Sequence, residues 1–296
     1  MKHTERAFAK INPYLSVTGR REDGYHTILS HMQAVTLCDV LDMTWAPDEK
    51  GTEVTMTAND PRLPCDDTNL VIRAAKAFLA AVGTRGTLTV DLQKRIPMAA
   101  GLAGGSADAA ATLRGLNALL GHPLSMDQLC TIGAGLGADI PFCVMCTDLP
   151  AMKAEGIGEV LTPAHCLPTH THLVVACEGD GVSTPWAYRR LDEIGLTSCE
   201  EAETAYASYE EALVNGELPC IGEAAYNCFE EAVLPERPAA RALLAEMAAS
   251  GAAFARMSGS GPSVVGYFED ENTALSCVEK LAEKGIVAHL CRPLKK

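Results

Sequence analysis

Pro97-Met98-Ala99-Ala100-Gly101-Leu102-Ala103-Gly104-Gly105-Ser106-Ala107-Asp108-Ala109-Ala110-Ala111 is a run of small residues that leads straight into a helical pattern. From Ala107 the sequence ADAAATLRGLNALL is dominated by Ala and Leu, both strong helix formers. Gly121 stands where a helix-terminating glycine belongs, and Pro123 follows it. The reading is a tight glycine loop opening directly into a helix. Such a junction directs several free backbone N–H groups one way, reinforced by the positive end of the helix dipole. That makes an anion cradle, with phosphate the anion to expect. Small residues matter because the backbone itself must approach the ligand. The plain alternative is a flexible loop without a ligand, but the crowding of glycine and alanine immediately ahead of an apolar helix favours the cradle. No lysine follows the glycines in the GxxxxGK[ST] spacing, so this is not a Walker A loop. Its cations must come from a metal ion or from lysines distant in sequence.

The rest of the chain sets bounds on that reading. With 296 residues, 48% of them hydrophobic, it can bury a sizeable core as one large domain or two ordinary ones. The formal net charge is −14, with 38 acidic against 24 basic side chains. That argues against a nucleic-acid binder, which would show a basic face, but does not exclude a small anionic substrate held by local groups. No apolar run approaches the roughly 18 residues of a membrane span. The start, MKHTERAFAK, lacks the apolar core of a signal peptide. Twelve cysteines without framework spacing are expected as reduced thiols, in a cytoplasmic protein. Cys143 and Cys146 form a lone CxxC, a poor zinc site without a second pair. His165, Cys166, His170 and His172 read as a polar linker before the apolar LVVAC run rather than as a metal site.

Along the chain, Ala7 to Val17 is a strand candidate with Lys10 and Asn12 two apart, hence on one face. GRREDG, residues 19–24, is a charged turn, and Tyr25-His26 begin an extended run to Leu37. Further strands are expected at 39–46, 53–57 and 87–92, and a helix at 69–82 closed by Gly83. Ser125-x-x-Gln128 is a capping box, and residues 151–162 read as a hairpin. Later come a strand at 173–177, a helix begun by Thr184-Pro185 with proline at the first helical position, and helical patterns to Ala249. Two strands flank Met257-Ser258-Gly259-Ser260-Gly261, before a helix over 272–283 and a strand at 286–291. Strands mixed with helix pairs indicate an α+β sandwich. The domains are expected at 1–163 and 164–296.

Gly133-x-Gly135-x-x-Ala138 matches the dinucleotide pattern G-x-G-x-x-G/A, with Glu159 about 20 residues on. The context opposes it: a helix precedes where a strand is required, and Pro141 follows where a helix interior is required.

Three separated stretches, AFAKINPYLSVTGRREDGYH, IPMAAGLAGGSADAAATLRGLN and MSGSGPSVVGYF, resemble the three motifs of the GHMP kinases, the group of galactokinase, homoserine kinase and mevalonate kinase. Within the group, Lys10-Ile11-Asn12, residues 19–26, Gly137-Ala138-Asp139-Ile140-Pro141-Phe142, residues 154–159 and residues 182–188 resemble the members that act on a cytidyl methylerythritol substrate. The likeness runs nearly end to end and is weakest from about Leu196 to Arg237. It implies a two-domain α+β fold. The N-terminal ATP-binding catalytic domain would be like the second domain of ribosomal protein S5, and the C-terminal domain ferredoxin-like, with the active site between them. It implies ATP as phosphoryl donor, Mg²⁺, and transfer to the 2-hydroxyl of the cytidyl substrate in the non-mevalonate isoprenoid pathway. By the same resemblance Lys10 and Asp139 are the catalytic pair. Pro97, Met98, Ala99, Ala100, Gly101, Leu102, Ala103, Gly104, Gly105 and Ser106 hold the ATP phosphates, Ser106 also touches the metal, and Asn69 lies near the adenine. Asn12, Tyr25, His26, Asp139, Thr184 and Tyr188 contact the acceptor, with Tyr25, His26 and Tyr188 on the cytosine. No nucleic acid and no membrane enter this reading, and the chain is expected as a monomer or weak homodimer. One departure is Ala107, where the group usually carries a second hydroxyl, which puts any phosphate or metal contact of that hydroxyl in doubt.

The residues support this chemistry on their own. A hydroxyl nucleophile near neutral pH benefits from a carboxylate that takes its proton late in the transfer. Asp139 sits at a glycine-rich bend, where it either faces a cleft or merely caps the turn before Pro141. Lys10 is unusual on a mostly apolar strand; it either snorkels to solvent or steadies Asp139 and the phosphoryl charge. Tyr25 and Tyr188 are either base-stacking rings or plain core aromatics. Two rival readings stay open: a GHMP kinase acting on mevalonate, homoserine or a sugar, and a nucleotide-binding regulator without turnover.

Overall fold

Burial along the first strand changes character midway. In β1 (Lys2–Arg20) the residues as far as Arg6 alternate between exposed and half-buried, whereas every residue from Ala9 to Val17 is buried. In the computed structural model, which describes residues 1–196 and 201–295, this change coincides with a division of the chain into two compact units. The first comprises Met1–Ala9, Cys38–Ile96 and Ala103–Asp148, and the second Lys10–Leu37, Pro97–Leu102 and Leu149–Lys296. The units interleave along the sequence rather than following a single cut. β1 and β2 (His26–Pro47) each supply residues to both.

The sequence predicts a break between an extended run ending at Leu37 and a strand at 39–46; the structure carries β2 through as one strand. The reason is Asp39, whose buried carboxylate accepts from the amides of Arg95 and Ile96 and pairs with Lys94. A polar residue with all its partners supplied does not end a strand.

In the first unit the second half of β2 runs antiparallel to β4 (Gly86–Gln93), from Val40↔Gln93 to Pro47↔Gly86, and β3 (Glu53–Ala58) lies parallel to β4. Four helices complete it: α1 (Leu70–Val82), α2 (Gly104–Leu119), α3 (Met126–Ala134) and α4 (Ile140–Met145). α1 begins at Asn69, whose Oδ1 accepts from the Val71 amide, and ends at Gly83 in the left-handed conformation. α2 starts at Gly104, three residues earlier than its alanine pattern suggests, because the glycines themselves form its first turn. It packs against α1, and Gly115 lets it approach β2 closely: a Cβ there would lie 1.9 Å from Met43 Cε. The capping box at Ser125 and Gln128 is present in both directions. α4 was not foreseen, because Pro141 reads as a breaker; at the second position of a helix its missing N–H removes no bond. Gly133 and Gly135 lie at the end of α3, so the dinucleotide pattern lacks its strand.

In the second unit β5 (Ala151–Glu155) pairs antiparallel with β2 at Ser30↔Ala154 to Gln33↔Ala151, and forms the expected hairpin with β6 (Val160–Pro163). The elements that follow are β7 (His172–Ala176), α5 (Thr184–Ile194), α6 (Ala202–Asn215), α7 (Leu218–Ala224), β8 (Tyr226–Asn227), α8 (Phe229–Val233), α9 (Pro238–Ala249), β9 (Phe254–Met257), β10 (Val264–Phe268), α10 (Glu271–Glu283) and β11 (Ala288–Cys291). The helical expectation over 197–200 lies outside the described residues. The short β8, not expected within the helical stretch, pairs parallel with β1 at Tyr14 and Leu15. β11, β7, β10 and β9 form an antiparallel sheet in that order. α9 and α10 bury Leu243, Met247, Cys277 and Leu281 against its Val174, Ala176, Val264 and Phe268.

Candidate active site

The glycine loop is held by its carbonyls. In the second unit the oxygens of Ala99, Ala100, Gly101 and Leu102 accept, in turn, from the amides of Val182 and Ser263, the Ser258 hydroxyl and the Lys10 amide, at 3.1–3.3 Å. With the oxygens anchored, the amide N–H groups of Met98 to Leu102 find no protein acceptor among the described residues. Ala99 and Gly101 have φ of 51° and 77°. For the alanine this left-handed backbone costs on the order of 1 kcal/mol and persists because neighbouring bonds dictate it. At Gly101 no other residue fits, since a Cβ would stand 2.1 Å from the Ser258 carbonyl oxygen.

Lys10 and Asn12 share a face of β1, as their spacing requires. Lys10 Nζ donates to Asn12 Oδ1 at 2.6 Å, and Asn12 Nδ2 donates to Ser30 Oγ at 2.9 Å. Lys10 is buried rather than snorkelled to solvent, with 6% of its surface exposed. The turn at 258–261 comes to the same place: a Cβ on Gly259 would lie 2.9 Å from the Gly101 oxygen and 3.5 Å from Asn12 Oδ1. Thus the strand, the loop and the turn that carry the sequence signal converge inside one unit. Asn227, which the sequence did not single out, braces the turn by donating to the oxygens of Met257 and Gly259. Thr184 is the first residue of α5 rather than its cap, and its hydroxyl hydrogen-bonds Ser260 Oγ at 3.0 Å.

The first unit holds the remaining phosphate-loop residues. Ala103, with φ 55°, precedes α2, and the leading N–H groups of Gly104, Gly105 and Ser106 have no partner within the helix. Lys94 lies close under this turn, since a Cβ on Gly104 would stand 3.3 Å from Lys94 Nζ. It pairs with Asp39 and, at 2.7 Å, with Asp108 of α2. Burial pushes the Asp108 carboxyl up to about 7, against the opposing pull of Lys94. Burial acts to lower the Lys94 ammonium, but the two carboxylates outweigh it and its pKa is raised. Asp108 Oδ1 is buried without a hydrogen-bond partner. Asp139 is the N-cap residue of α4, and its side chain makes no capping hydrogen bond there. Asn69 has both ends of its amide occupied, by the Val71 amide and the Pro64 oxygen.

In the second unit His26 and Tyr188 meet. Their rings stack at 4.8 Å with 17° between planes, and Phe229 packs edge-on to Tyr188 at 4.9 Å. His26 Nε2 lies 2.6 Å from Asp192 Oδ1. Tyr25, beside them in sequence, is 62% exposed. His26 thus stacks on Tyr188, a ring that the resemblance assigns to the cytosine. Cys146 Sγ donates to the Cys143 oxygen, and among the described residues no group of three or more His, Cys, Asp or Glu is arranged to hold a metal.

Known proteins sharpen this picture. The model of the GHMP kinases N terminal domain matches residues 69–147, and that of the GHMP kinases C terminal domain matches residues 209–287. A 4-diphosphocytidyl-2-C-methyl-D-erythritol kinase of Clostridium kluyveri is 36% identical over 279 residues, covering 94% of this chain and 95% of that protein. The crystal structure of a 4-(cytidine 5'-diphospho)-2C-methyl-D-erythritol kinase superposes with a TM-score of 0.78 at 32% identity, over 99% of this chain and all of that one. A homoserine kinase from Cytophaga hutchinsonii shares the fold, at a TM-score of 0.73 and 17% identity, over 99% of this chain and 96% of that one. Nearly full-length identity of this order, on a glycine loop anchored to Lys10 and to the turn at 258–261, makes the chain a GHMP kinase of the 4-diphosphocytidyl-2-C-methyl-D-erythritol kinase family.

Proposed function

We propose that the chain transfers the γ-phosphoryl group of ATP to the 2-hydroxyl of 4-diphosphocytidyl-2-C-methyl-D-erythritol, in the non-mevalonate route to isoprenoid precursors. The observation that carries this reading is the convergence of Lys10, Asn12, the loop oxygen of Leu102 and the turn at 258–261 in one unit. Full-length relatives named for that activity support it. In the proposed reaction the substrate oxygen bonds to the γ-phosphorus, the bond from the β–γ bridging oxygen to that phosphorus breaks, and ADP leaves. Asp139 accepts the hydroxyl proton, and Lys10, oriented by Asn12, balances the charge on the transferring group. Backbone N–H groups from Met98 to Ser106 cradle the phosphates.

Mg²⁺ fits this residue set without a dedicated cage, because it is commonly held by one or two protein oxygens together with phosphates and waters. The Ser106 hydroxyl would contribute, Ala107 offers no donor, and a bound ion would offset phosphate charge. Asn69 near the adenine, Thr184 on the acceptor, and Tyr25, His26 and Tyr188 around the cytosine complete the assignment. Residues 1–163 as the N-terminal ATP-binding domain, 164–296 as the C-terminal domain, a cytoplasmic location and a monomer or weak homodimer belong to the same proposal. No helix among the described residues is long and apolar enough to cross a membrane.

The test is a phosphate-transfer assay with ATP, Mg²⁺ and a panel of acceptor alcohols with and without cytidine. Turnover of the cytidyl acceptor alone is expected. Efficient turnover of mevalonate, homoserine or a sugar would replace the assignment, and nucleotide binding without transfer would favour a regulator.

A further inference from the structure

One helix grips His26 at two places. Tyr188 and Asp192 are four residues apart on α5, hence on one helical face. The first stacks on the imidazole, and the second takes its Nε2 edge at 2.6 Å. Asp192 is braced in turn, since Arg20 Nη1 lies 3.6 Å from its other oxygen while Arg20 Nε donates to the Gly24 oxygen. The imidazole is buried, with 6% of its side chain exposed. An ionised carboxylate only accepts hydrogen bonds, so the proton of this contact sits on Nε2. In the neutral ring Nδ1 is then bound to be an acceptor, and it has no hydrogen-bond partner among the described residues.

We propose that Asp192 is a specificity-setting positioning residue: it holds His26 in the tautomer that accepts from the amino group of cytosine and rejects the carbonyl that uracil carries there. The proposal rests on the reading of a cytidyl acceptor beside Tyr25 and His26. Cytosine offers an N–H donor where uracil offers an oxygen lone pair. Facing the Nδ1 lone pair, the first is paired and the second is not, and a polar site discriminates strongly when the wrong partner leaves it unsatisfied. Asp192→Asn reverses this logic. Its amide can donate to Nε2, which moves the ring proton to Nδ1 and favours the uracil carbonyl.

The experiment compares wild type, Asp192→Asn and Asp192→Ala on the cytidyl diphosphate acceptor, its uridyl counterpart and methylerythritol 4-phosphate lacking a nucleotide. The ratio of kcat/KM for cytidyl over uridyl acceptor should fall about tenfold or more in Asp192→Asn, while the KM for ATP stays within about twofold; a tenfold change corresponds to about 1.4 kcal/mol. Nitrogen-15 spectra of wild type should place the His26 proton on Nε2, a readout that needs no variant to fold. A wild-type proton on Nδ1, or an unchanged ratio in both folded variants, overturns the role of Asp192 and leaves the kinase assignment standing. Equal wild-type turnover of the acceptor without nucleotide would overturn the base-recognition reading and this proposal with it.

Discussion

Asp139 carries the most exacting prediction at the scale of single residues. Its side chain makes no capping bond at the start of α4, so neutralising it should leave the helix intact. Asp139→Asn is expected to lower kcat by about 10²- to 10⁴-fold, the usual range for a lost general base, with the acceptor KM little changed. Near wild-type kcat in steady-state assays would reduce Asp139 to a turn residue. Asp108 makes a different prediction, about stability. Its folded pKa is raised to about 7 from 3.8, so the folded state binds the proton more tightly than the unfolded chain does. Its contribution to stability is therefore fully present below about pH 4 and is lost as the pH rises towards 7. Asp108→Asn cannot titrate, and Lys94 keeps its pairing with Asp39. Thermal melts between pH 4.5 and 7.5 should show a flatter dependence of Tm on pH in this variant; parallel curves would count against a raised Asp108. Lys10 and Asn12 were legible as a pair because period-two spacing on a strand is a local rule. The partners of Asp108 and His26 were not, because no local pattern relates residues so far apart in sequence.

At the scale of elements, the loop and the first turn of α2 invite a substitution that separates binding from folding. Gly101→Ala is a poor choice, since φ is 77° and the new Cβ would meet the Ser258 oxygen. Gly105 is exposed, lies in the helix, and a Cβ there would touch only Leu70 Cδ1 at 3.7 Å. Gly105→Val should therefore fold, yet place a branched side chain where phosphate is proposed to approach the backbone. Titration calorimetry should show ATP affinity reduced about tenfold or more with Tm nearly preserved; full affinity would sink the cradle. Element boundaries set by nearby chemistry were readable in advance: Gly83, Gly121 and the Ser125–Gln128 box act within a turn of the chain. α4 was missed because a proline discourages helix everywhere except the first turn, and only the structure shows which case applies.

At the scale of the whole molecule, twelve cysteines raise the question of covalent staples. Those described are free thiols, and burial pushes Cys130 and Cys146 up to about 11 and Cys291 to about 12, which keeps them protonated. Tm should be the same with and without a thiol reductant, as differential scanning measurements can check; a lower value on reduction would reveal a disulfide. The glycine loop, the helix after it, the capped start of α3 at Ser125 and the hairpin at 151–162 were determined by the sequence alone, because turn chemistry, capping and side-chain periodicity act over a few residues. Only the tertiary structure decided that β2 runs unbroken through Asp39, that Lys10 is buried beside the loop, that His26 is held by α5, and that the compact units interleave. Each depends on a hydrogen bond, an ion pair or a packing contact whose partners come from distant parts of the chain, and such partners meet only when the backbone between them has folded.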